Sequence, residues 1–373
     1  MTESIARDEA VILSSGGADG AYSVGVMKAL LSGQCGSTEY QPLDPGVFSG
    51  SSIGAFNAAF MVSHLGEGCQ KAMLDLERIW LDELSDNPDH CDNGAYRFRA
   101  DPAEVLDPLC FGADPLNALR KAVGDGVYLS RDMFSRARRL LASSAPLAQR
   151  ILEMFNLSSF VDDHHFAEII RRKIHFENIR SSSRPLRVFV TNWDTGEVEV
   201  FNNEGMTDQF GPLIIRASGA IPGFFRPVEI DETAYVDGGL LAFARLGPAI
   251  RAGADVLHVI YLDPHIRDVP TATLQSTFCT LYRIFLITWA AQINGSIEQV
   301  KRLNREVEDG TLPEGRDSKE YKKVTVHRYR PHSDLGGPIG FFNLNPERIK
   351  RLIKQGYDDT VLHNCKQSGC VLL

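Results

Sequence analysis

The stretch of sequence that decides the fold runs from Val47 to Ala58 and reads Val-Phe-Ser-Gly-Ser-Ser-Ile-Gly-Ala-Phe-Asn-Ala. At its centre, Gly50 to Gly54 form a G-x-S-x-G pattern, directly after a short apolar run and directly before an apolar helical pattern. This context predicts a strand, a sharp turn and a helix, with Ser52 at the apex of the turn. The two glycines let strand and helix approach closely. Ser52 would lie at a helix N-terminus, either as a nucleophile or as a plain helix cap.

A second glycine-bearing turn follows the apolar run Ala10–Leu13, which predicts a buried strand. The segment Ser14–Gly20 leads from this strand into a helical pattern over Ala21–Leu31. A strand, a glycine-rich turn and a helix aim backbone N–H groups at an anion, which could be a phosphate or a tetrahedral oxyanion. A nucleotide-binding P-loop would need Gly-Lys-Ser or Gly-Lys-Thr after the glycines. Since this chain has Gly20-Ala21-Tyr22 there, the nucleotide interpretation is weak.

A third such turn ends the run Ala234 to Gly239, where Asp237 is followed by Gly238 and Gly239. Apolar runs typical of strands alternate with helical patterns along the chain, which predicts a mainly parallel sheet covered by helices on both faces. Strand ends at one edge of such a sheet form sites. A serine, an anion-binding turn and a carboxylate base would complete an acyl-transfer site without histidine. Each turn alone would more often be an ordinary tight turn.

The composition is that of a globular protein, because 43% of the 373 residues are hydrophobic and 23% are charged. A formal net charge of -9 gives no indication of nucleic-acid binding. The polar N-terminus predicts no secretory signal. Seven scattered cysteines without C-x-x-C spacing fit reduced thiols in a cytoplasmic protein. The most apolar segment, Leu281–Ala291, contains Arg283 and is too short to cross a bilayer, so we expect a buried helix there.

Taken together, these motifs show that the chain resembles the patatin-like phospholipases, which carry a glycine-rich loop, a G-x-S-x-G serine and an Asp-Gly-Gly/Ala motif in that order. The resemblance extends from Val11 to about Tyr357 and thins between Asp82 and Asn156. It includes Gly20-Ala21-Tyr22 with Val24-Gly25-Val26, Gly54 to Ala59, Ala220 to Phe225, Tyr235 to Gly239, Pro248-Ala249-Ile250, Gly253-Ala254-Asp255, and Asn345 to Ile349.

The resemblance implies an α/β fold, namely a three-layer α/β/α sandwich with a mainly parallel central sheet. We expect one catalytic domain over residues 1–373, with a core at about 8–360, a helical insertion at about 82–180 and a tail at 364–373. The part between Asp82 and Asn156 would cover the acyl-binding cleft or form a peripheral insertion.

The implied activity is hydrolysis of lipid acyl esters by a serine–aspartate dyad, without a metal or a cofactor. Ser52 would be the nucleophile and Asp237 the base, with an oxyanion hole formed by the N–H groups of Gly16 and Gly17. Membrane lipid would be the substrate and peripheral membrane association the mode of contact, while a requirement for a protein activator stays open. An α/β-hydrolase triad using His258, His265 or His327 is the less favoured alternative, because few strands precede Ser52.

Two departures from the family pattern concern the site. Ser15 replaces the first of three usual glycines, and Asp19 occupies a position that is usually Lys or Arg. Asp19 would either face the site or point to solvent. Phe243 and Arg245 stand where Asn and Pro are common. Asp19 and Ser15 are the main support for an alternative function, a catalytically weak relative that acts as a membrane lipid-binding or scaffold protein.

The chain ends in Cys370-Val371-Leu372-Leu373, a C-a-a-X box of the type that directs geranylgeranylation. One lipid chain holds a protein only weakly on a membrane. Palmitoylation of Cys365 could add a second anchor, and Arg348, Lys350, Arg351 and Lys354 could add a basic face. We therefore expect the protein to work on eukaryotic membranes, either as a resident protein or as one delivered by a bacterium, with membrane anchoring through a prenylated Cys370.

Overall fold

A mixed sheet of eight strands forms the centre of the molecule. The computed structural model describes residues 9–86, 94–99, 115–142, 157–269, 277–311 and 322–373. The strands are β1 (Glu9–Leu13), β2 (Val47–Ser51), β3 (Arg97–Phe98), β4 (Val161–Asp162), β5 (Leu186–Asn192), β6 (Val198–Phe201), β7 (Val228–Ile230), β8 (Thr233–Asp237), β9 (Val256–Ile260) and β10 (Thr325–Tyr329).

The helices lie on both faces of this sheet. They are α1 (Gly20–Leu31), α2 (Ile53–His64), α3 (Cys69–Ile79), α4 (Pro115–Ala142), α5 (His164–Lys173), α6 (Phe176–Ser181), α7 (Gly211–Ser218), α8 (Gly247–Arg251), α9 (Thr277–Glu308), α10 (Gly337–Gly340), α11 (Pro346–Val361) and α12 (Cys365–Ser368).

The strand order in the sheet is β10-β9-β1-β2-β5-β8-β7, with β6 paired to β5. The first five strands in this order run parallel, whereas β6 and β8 each run antiparallel to β5. The sheet is therefore mixed, with most strands in one direction, and the predicted α/β/α sandwich is confirmed. The small β3–β4 pair lies outside it.

Successive side chains of the central strands point to opposite faces of the sheet, and this divides the core into two layers. Val11 and Leu13 belong to a large cluster under α1, α2 and α11, while Ala10 and Ile12 belong to a second cluster under α8 and α9. This is the period-two pattern of a sheet that is buried on both faces. Because all four side chains are fully buried, β1 is fixed at the centre and holds the glycine-rich loop at its carboxyl end.

Helices α5 and α6 pack into the large core although they lie in the predicted insertion. Ile169, Ile170 and Ile179 are fully buried there. The described part of residues 82–180 thus includes two helices of the main core, as well as the long helix α4.

The prediction of a buried helix at Leu281–Ala291 is wrong in one respect. The segment is helical, within α9, but Leu281, Ile284 and Ile287 are exposed. Trp289 and Leu286 face the core, so only one side of the helix is buried. Hydrophobic periodicity could not distinguish a fully buried helix from one that is buried on one side, because almost every position in the segment is apolar. No helix within the described ranges is both long and apolar enough to cross a bilayer.

Candidate active site

Ser52 occupies the turn between β2 and α2, as the sequence predicts. Its backbone has φ 56° and ψ -129°, a strained conformation for a residue with a side chain. A Cβ atom on Gly50 would lie 2.3 Å from the carbonyl oxygen of Gly54, and one on Gly54 would lie 2.6 Å from that of Leu13. Both glycines are therefore required by the close approach of β2, α2 and β1.

Local contacts separate the two predicted roles of Ser52. It occupies the N-cap position of α2, yet its side chain makes no capping hydrogen bond. Its backbone N–H donates instead to the Ser218 hydroxyl, at 2.9 Å. The Ser218 hydroxyl in turn donates to the Phe189 carbonyl, at 2.7 Å. The serine turn is thus held by the backbone of β5 through α7, and the Ser52 hydroxyl is left available for another partner.

Asp237 lies at the end of β8 and is only 4% exposed. Its Oδ1 atom accepts a hydrogen bond from the Gly239 N–H, at 2.6 Å, and lies 3.4 Å from the Ser15 hydroxyl. Its Oδ2 atom has no hydrogen-bond partner among the described residues. One oxygen of the carboxyl group is thereby fixed, and the other is open to accept a proton.

Burial raises the pKa of Asp237 to about 7. Hydrogen bonding to the Ser52 hydroxyl, to the Gly239 N–H and to the Ser15 hydroxyl lowers the pKa, but by less than burial raises it. The Ser52 hydroxyl is therefore close enough to influence the carboxyl group, although no hydrogen bond between them meets strict geometry. In the free protein, a catalytic hydrogen bond is often long or poorly aligned, and it becomes short only when substrate binds. A carboxylate with a pKa near 7 is a far better base than a solvated one.

Strand β5 brings the serine turn and Asp237 together. Strand β6 occupies one edge of β5, so β2 and β8 share the other edge. Along that edge Phe189 pairs with Ser51, and the next residue, Val190, pairs with Asp237. The end of β2 and the end of β8 therefore meet at successive positions of one strand, although they are far apart in the chain.

The glycine-rich loop follows β1 and reaches the same place. Gly17 has φ +55°, a conformation that favours glycine, and a Cβ atom there would lie 2.5 Å from the Phe341 carbonyl oxygen. The N–H groups of Ala18 and Asp19 are already used, by the carbonyls of Phe341 and Gly16. In the described part of the chain, the N–H groups of Gly16 and Gly17 donate no hydrogen bond. These two donors therefore remain open to an anion.

Neither expected placement of Asp19 is right. Asp19 is buried and forms an ion pair with Arg348 of α11, which is buried as well. Burial raises the pKa of Asp19 to about 7, and Arg348 opposes that rise. Arg348 also donates to the carbonyls of Asn343 and Leu335. The negative charge is thus neutralised inside the protein, and Arg348 is not part of the expected basic surface of α11, where Lys350, Arg351 and Lys354 are exposed.

Two apolar cavities adjoin the site. The first, which we call the nucleophile cavity, is lined by Ser52, Gly17, Ala18, Ile53, Trp80, Leu84, Ala95, Tyr96, Asp163, Phe166, Arg216, Gly219, Ala220, Ile221, Phe225, Phe341, Phe342 and Leu344. The second, the aspartate cavity, is lined by Asp237, Ser15, Gly239, Leu240, Ile221, Pro222, Phe224, Tyr282, Phe285, Trp289, Phe341 and Phe342. Ile221, Phe341 and Phe342 line both, so the two cavities meet at the site.

The nucleophile cavity receives three side chains from the segment expected to cover the acyl-binding cleft, namely Leu84, Ala95 and Tyr96. Residues 87–93, 100–114 and 143–156 of that segment lie outside the described residues. The cavity has one charged end, where Arg216 binds Asp163 through two hydrogen bonds of 2.6 and 2.9 Å. An apolar chamber with one polar end matches the two-part chemistry of a lipid.

The histidines of the alternative triad lie elsewhere. His258 is buried on β9, 2.9 Å from the Tyr329 hydroxyl, and His327 on β10 lies 3.4 Å from the Cys365 sulfur. His265 contacts the N–H of Arg267. Within the described residues, no histidine lines either cavity.

Comparison with known proteins agrees with this geometry. The sequence model of the patatin-like phospholipases matches residues 11–250, which is most of the chain and includes Ser52, Asp237 and the glycine-rich loop. The chain belongs to the patatin-like phospholipase family.

Other comparisons add little to the family match. Among curated proteins, no sequence matches this chain significantly. One solved structure with similarity is that of VipD from Legionella pneumophila, with 16% identity and a TM-score of 0.38, over 95% of this chain and 66% of the VipD chain. This chain thus spans slightly less than two thirds of the length of the VipD chain.

Some residues around this patatin-like site were not foreseen from the sequence. Ser218, Asp163 and Arg216 belong to no recognisable sequence motif. Trp289 was expected only as a core residue, yet its indole N–H donates to the Gly239 carbonyl, at 2.9 Å, beside the catalytic candidate. These residues are distant in sequence from the positions they support, so local patterns could not reveal them.

Proposed function

We propose that this protein is a lipid acyl hydrolase that cleaves acyl esters of phospholipids or related lipids with Ser52 as the nucleophile and Asp237 as the general base. The observation that carries the proposal is the arrangement of these two side chains. Ser52 directly follows Ser51, which pairs with Phe189 of β5, and Asp237 pairs with the next residue, Val190. The Asp237 Oδ2 atom has no hydrogen-bond partner among the described residues and the Ser52 hydroxyl makes no capping bond, at the point where two apolar cavities meet.

In the first half-reaction, Asp237 takes the proton of Ser52 as its oxygen attacks the ester carbonyl carbon. The carbonyl oxygen becomes an oxyanion in the tetrahedral intermediate. The N–H groups of Gly16 and Gly17 are the open donors of the glycine-rich loop and would stabilise it, each by about 3 kcal/mol by analogy with other hydrolases. Collapse breaks the ester bond, and Asp237 returns its proton to the departing alcohol.

In the second half-reaction, a water molecule replaces the alcohol. Asp237 takes a proton from this water, whose oxygen attacks the acyl carbon attached to Ser52. Collapse releases the fatty acid and returns the proton to Ser52. Asp237 thus acts as base and then acid in each half-reaction, which suits a carboxyl group with a pKa of about 7. In this mechanism Asp237 carries every proton, so no second acid or base is required.

The two cavities fit the proposed substrate class. Aromatic side chains form much of their walls, and the region shared by both contains Phe341 and Phe342. An acyl chain can occupy one cavity while the ester lies at Ser52. The charged end of the nucleophile cavity, at Arg216 and Asp163, would contact the polar part of the lipid.

Access to a bilayer is proposed to come from α9. Leu281, Ile284 and Ile287 are exposed on one side of this helix, with exposed fractions of 41%, 53% and 53%. The neighbouring Tyr282 and Phe285 line the aspartate cavity. An apolar helical face beside a lipid cavity is suited to shallow insertion into a membrane surface. Prenylation of Cys370 stays a prediction, and in the structure this cysteine is half-buried and Val371 pairs with Val326.

The alternative of a weakly active lipid-binding protein depended on Asp19 and Ser15. Asp19 is paired with Arg348, and the Ser15 hydroxyl lies beside Asp237. Both contacts support the hydrolase over the weakly active lipid-binding protein.

The test is hydrolysis of a short-chain chromogenic ester and of phosphatidylcholine vesicles by the wild type, Ser52→Ala and Asp237→Asn. Both variants should fold normally and lose turnover. Ser63→Ala is the matched control, because this hydroxyl of the same helix binds only local groups, the Phe60 carbonyl and His64. Full activity of Ser52→Ala would exclude the proposed nucleophile, and activity of Asp237→Asn together with an inactive His258→Ala would favour the triad.

A further inference from the structure

A cluster of four side chains lies at the edge of the sheet, apart from the active site. His327 comes from β10, His363 follows α11, and Cys365 and Cys370 belong to the C-terminal tail. Each offers one nitrogen or sulfur atom, and these four atoms all lie within 4.8 Å of one another. None of the four residues lines either cavity of the proposed hydrolase. We call these residues the C-terminal cluster.

We propose that the C-terminal cluster is a structural zinc site with two cysteine and two histidine ligands. Two thiolates and two imidazoles are a donor set that zinc prefers in closed, four-coordinate structural sites. Harder cations such as Mg²⁺ and Ca²⁺ require oxygen ligands, which the cluster does not offer.

The distances within the cluster agree with a tetrahedral ion. The Cys365 sulfur lies 3.4 Å from Nδ1 of His327 and 3.5 Å from Nε2 of His363. The Cys370 sulfur also lies 3.5 Å from Nε2 of His363. With Zn–S near 2.3 Å and Zn–N near 2.1 Å, a tetrahedron separates sulfur from nitrogen by about 3.6 Å. The side chains are therefore already spaced as ligands of one ion.

Neighbouring groups orient the ligands. The backbone N–H of Arg328 donates to the Cys370 sulfur, at 3.2 Å, which would stabilise a thiolate. The Ser368 hydroxyl lies 3.3 Å from Nδ1 of His363, a contact that leaves Nε2 for the metal.

The site would fasten the tail to the sheet. Val371 and Val326 exchange two backbone hydrogen bonds of 2.8 and 2.9 Å, so the tail already adds one bridge to the edge strand β10. Coordination by His327 and the two tail cysteines would hold this bridge, and the bound ion would stabilise the folded state because the ligands are scattered when the chain unfolds. A zinc-bound Cys370 thiolate is also unavailable for prenylation.

The experiment measures metal in the full-length chain, purified under reducing conditions. Elemental analysis should find about one zinc per chain in the wild type, and Co²⁺ exchanged into it should give the intense visible bands of a tetrahedral thiolate complex. Cys365→Ser should bind neither ion tightly. Cys69→Ser is the matched control, because this half-buried cysteine contacts Asp44 and Arg184 instead, and it should keep the zinc.

Thermal unfolding provides a second measurement if a variant folds poorly. A chelator should lower the Tm of the wild type and of Cys69→Ser, and leave that of Cys365→Ser unchanged. A reduced wild-type chain that takes up neither Zn²⁺ nor Co²⁺ would overturn the proposal, as would zinc retained at full occupancy by Cys365→Ser.

Two other fates of Cys370 give distinct results. A disulfide between Cys370 and Cys365 would make the protein lighter than its fully reduced form by the mass of two hydrogen atoms. Prenylation would add a prenyl group in eukaryotic cells, and one residue appended after Leu373 would abolish it while leaving all four ligands in place. Either modification in the bulk of the protein would overturn the zinc assignment.

Discussion

Asp19 and Arg348 form a buried ion pair across 329 positions of the chain. Asp19 belongs to the glycine-rich loop and Arg348 to the first turn of α11, and the exposed fractions of their side chains are only 5% and 6%. Removing one member of a buried pair leaves the other uncompensated. The pair therefore couples the glycine-rich loop to the last long helix.

We expect Arg348→Met to lower the free energy of unfolding at pH 8 by about 3–5 kcal/mol. Lys354→Met is the control on the same helix, because Lys354 and Asp358 form an exposed pair, and it should cost less than about 1 kcal/mol. Urea unfolding measures both. The double variant Asp19→Asn with Arg348→Met should recover much of the loss. Asp19→Lys would place two positive charges together and should destabilise the protein, so an unchanged stability of that variant would contradict the pairing.

The central fold could be predicted from the sequence because its signals are local. The apolar run Ala10–Leu13, the glycine-bearing turns and the G-x-S-x-G serine each indicate a strand or its end without reference to the rest of the chain. Their order then indicated one family, which fixed the topology.

Features that depend on distant partners were missed or misplaced. The predicted placement of Asp19 rested on its own charge, whereas in the structure Arg348 determines its environment. Ser218 supports the serine turn from α7, and His327 meets Cys365 only when the tail folds back. Such contacts are products of tertiary packing, which a local pattern does not encode.

The pH dependence of turnover should report Asp237. Its pKa is raised to about 7, and only the ionised carboxylate can accept the Ser52 proton. We therefore expect kcat/KM for a neutral chromogenic ester to rise with pH, to reach half its maximum near pH 7 and to level off above about pH 8. The profile should be measured at constant ionic strength. A constant rate between pH 5 and 8 would exclude Asp237 as the base.

The same carboxyl group should make the folded protein less stable at alkaline pH. Asp237 has a pKa of about 7 when folded and near 3.8 when unfolded, so folding favours its protonated form. That contribution to stability is fully present below about pH 4 and is lost as the pH rises through 7. Asp237→Asn removes the buried charge, so at pH 8 we expect the variant to be inactive and more stable by about 1–3 kcal/mol. Denaturant unfolding at pH 4 and pH 8 measures this difference in the free energy of unfolding. If Asp237→Asn exceeded the wild type in stability by the same amount at pH 4, the mechanism would be contradicted.

Helices α1 and α11 should tolerate no side chain where they cross. A Cβ atom on Gly25 would lie 1.9 Å from the Ile353 carbonyl oxygen, and one on Gly356 would lie 2.0 Å from that of Tyr22. Gly25→Ala should therefore destabilise the protein by at least about 2 kcal/mol. Gly295→Ala is the opposite control, because this helical glycine of α9 has open space around it and should gain up to about 1 kcal/mol. Equal effects of the two substitutions in urea unfolding would show that the helices do not cross as described.

Ser15 should act as a positioning residue for Asp237, although the family usually has glycine at this position. Its hydroxyl lies 3.0 Å from the Ser51 hydroxyl and 3.4 Å from Asp237 Oδ1, and it lowers the pKa of the carboxyl group. Ser15→Ala removes this donor. We expect kcat/KM to fall about fivefold, the equivalent of one hydrogen bond of about 1 kcal/mol, with little change in KM.

The midpoint of the pH profile separates this positioning role from a purely structural one. Without the Ser15 donor the charged form of Asp237 is less stabilised, so the midpoint should move to higher pH in Ser15→Ala. Ser63→Ala, which removes a buried hydroxyl elsewhere on the serine-bearing helix, should leave the midpoint unchanged. Ser15→Thr should keep the wild-type midpoint, because it retains the hydroxyl. If Ser15→Ala lost activity at an unchanged midpoint, the hydroxyl would serve the packing of the loop and not the charge of Asp237.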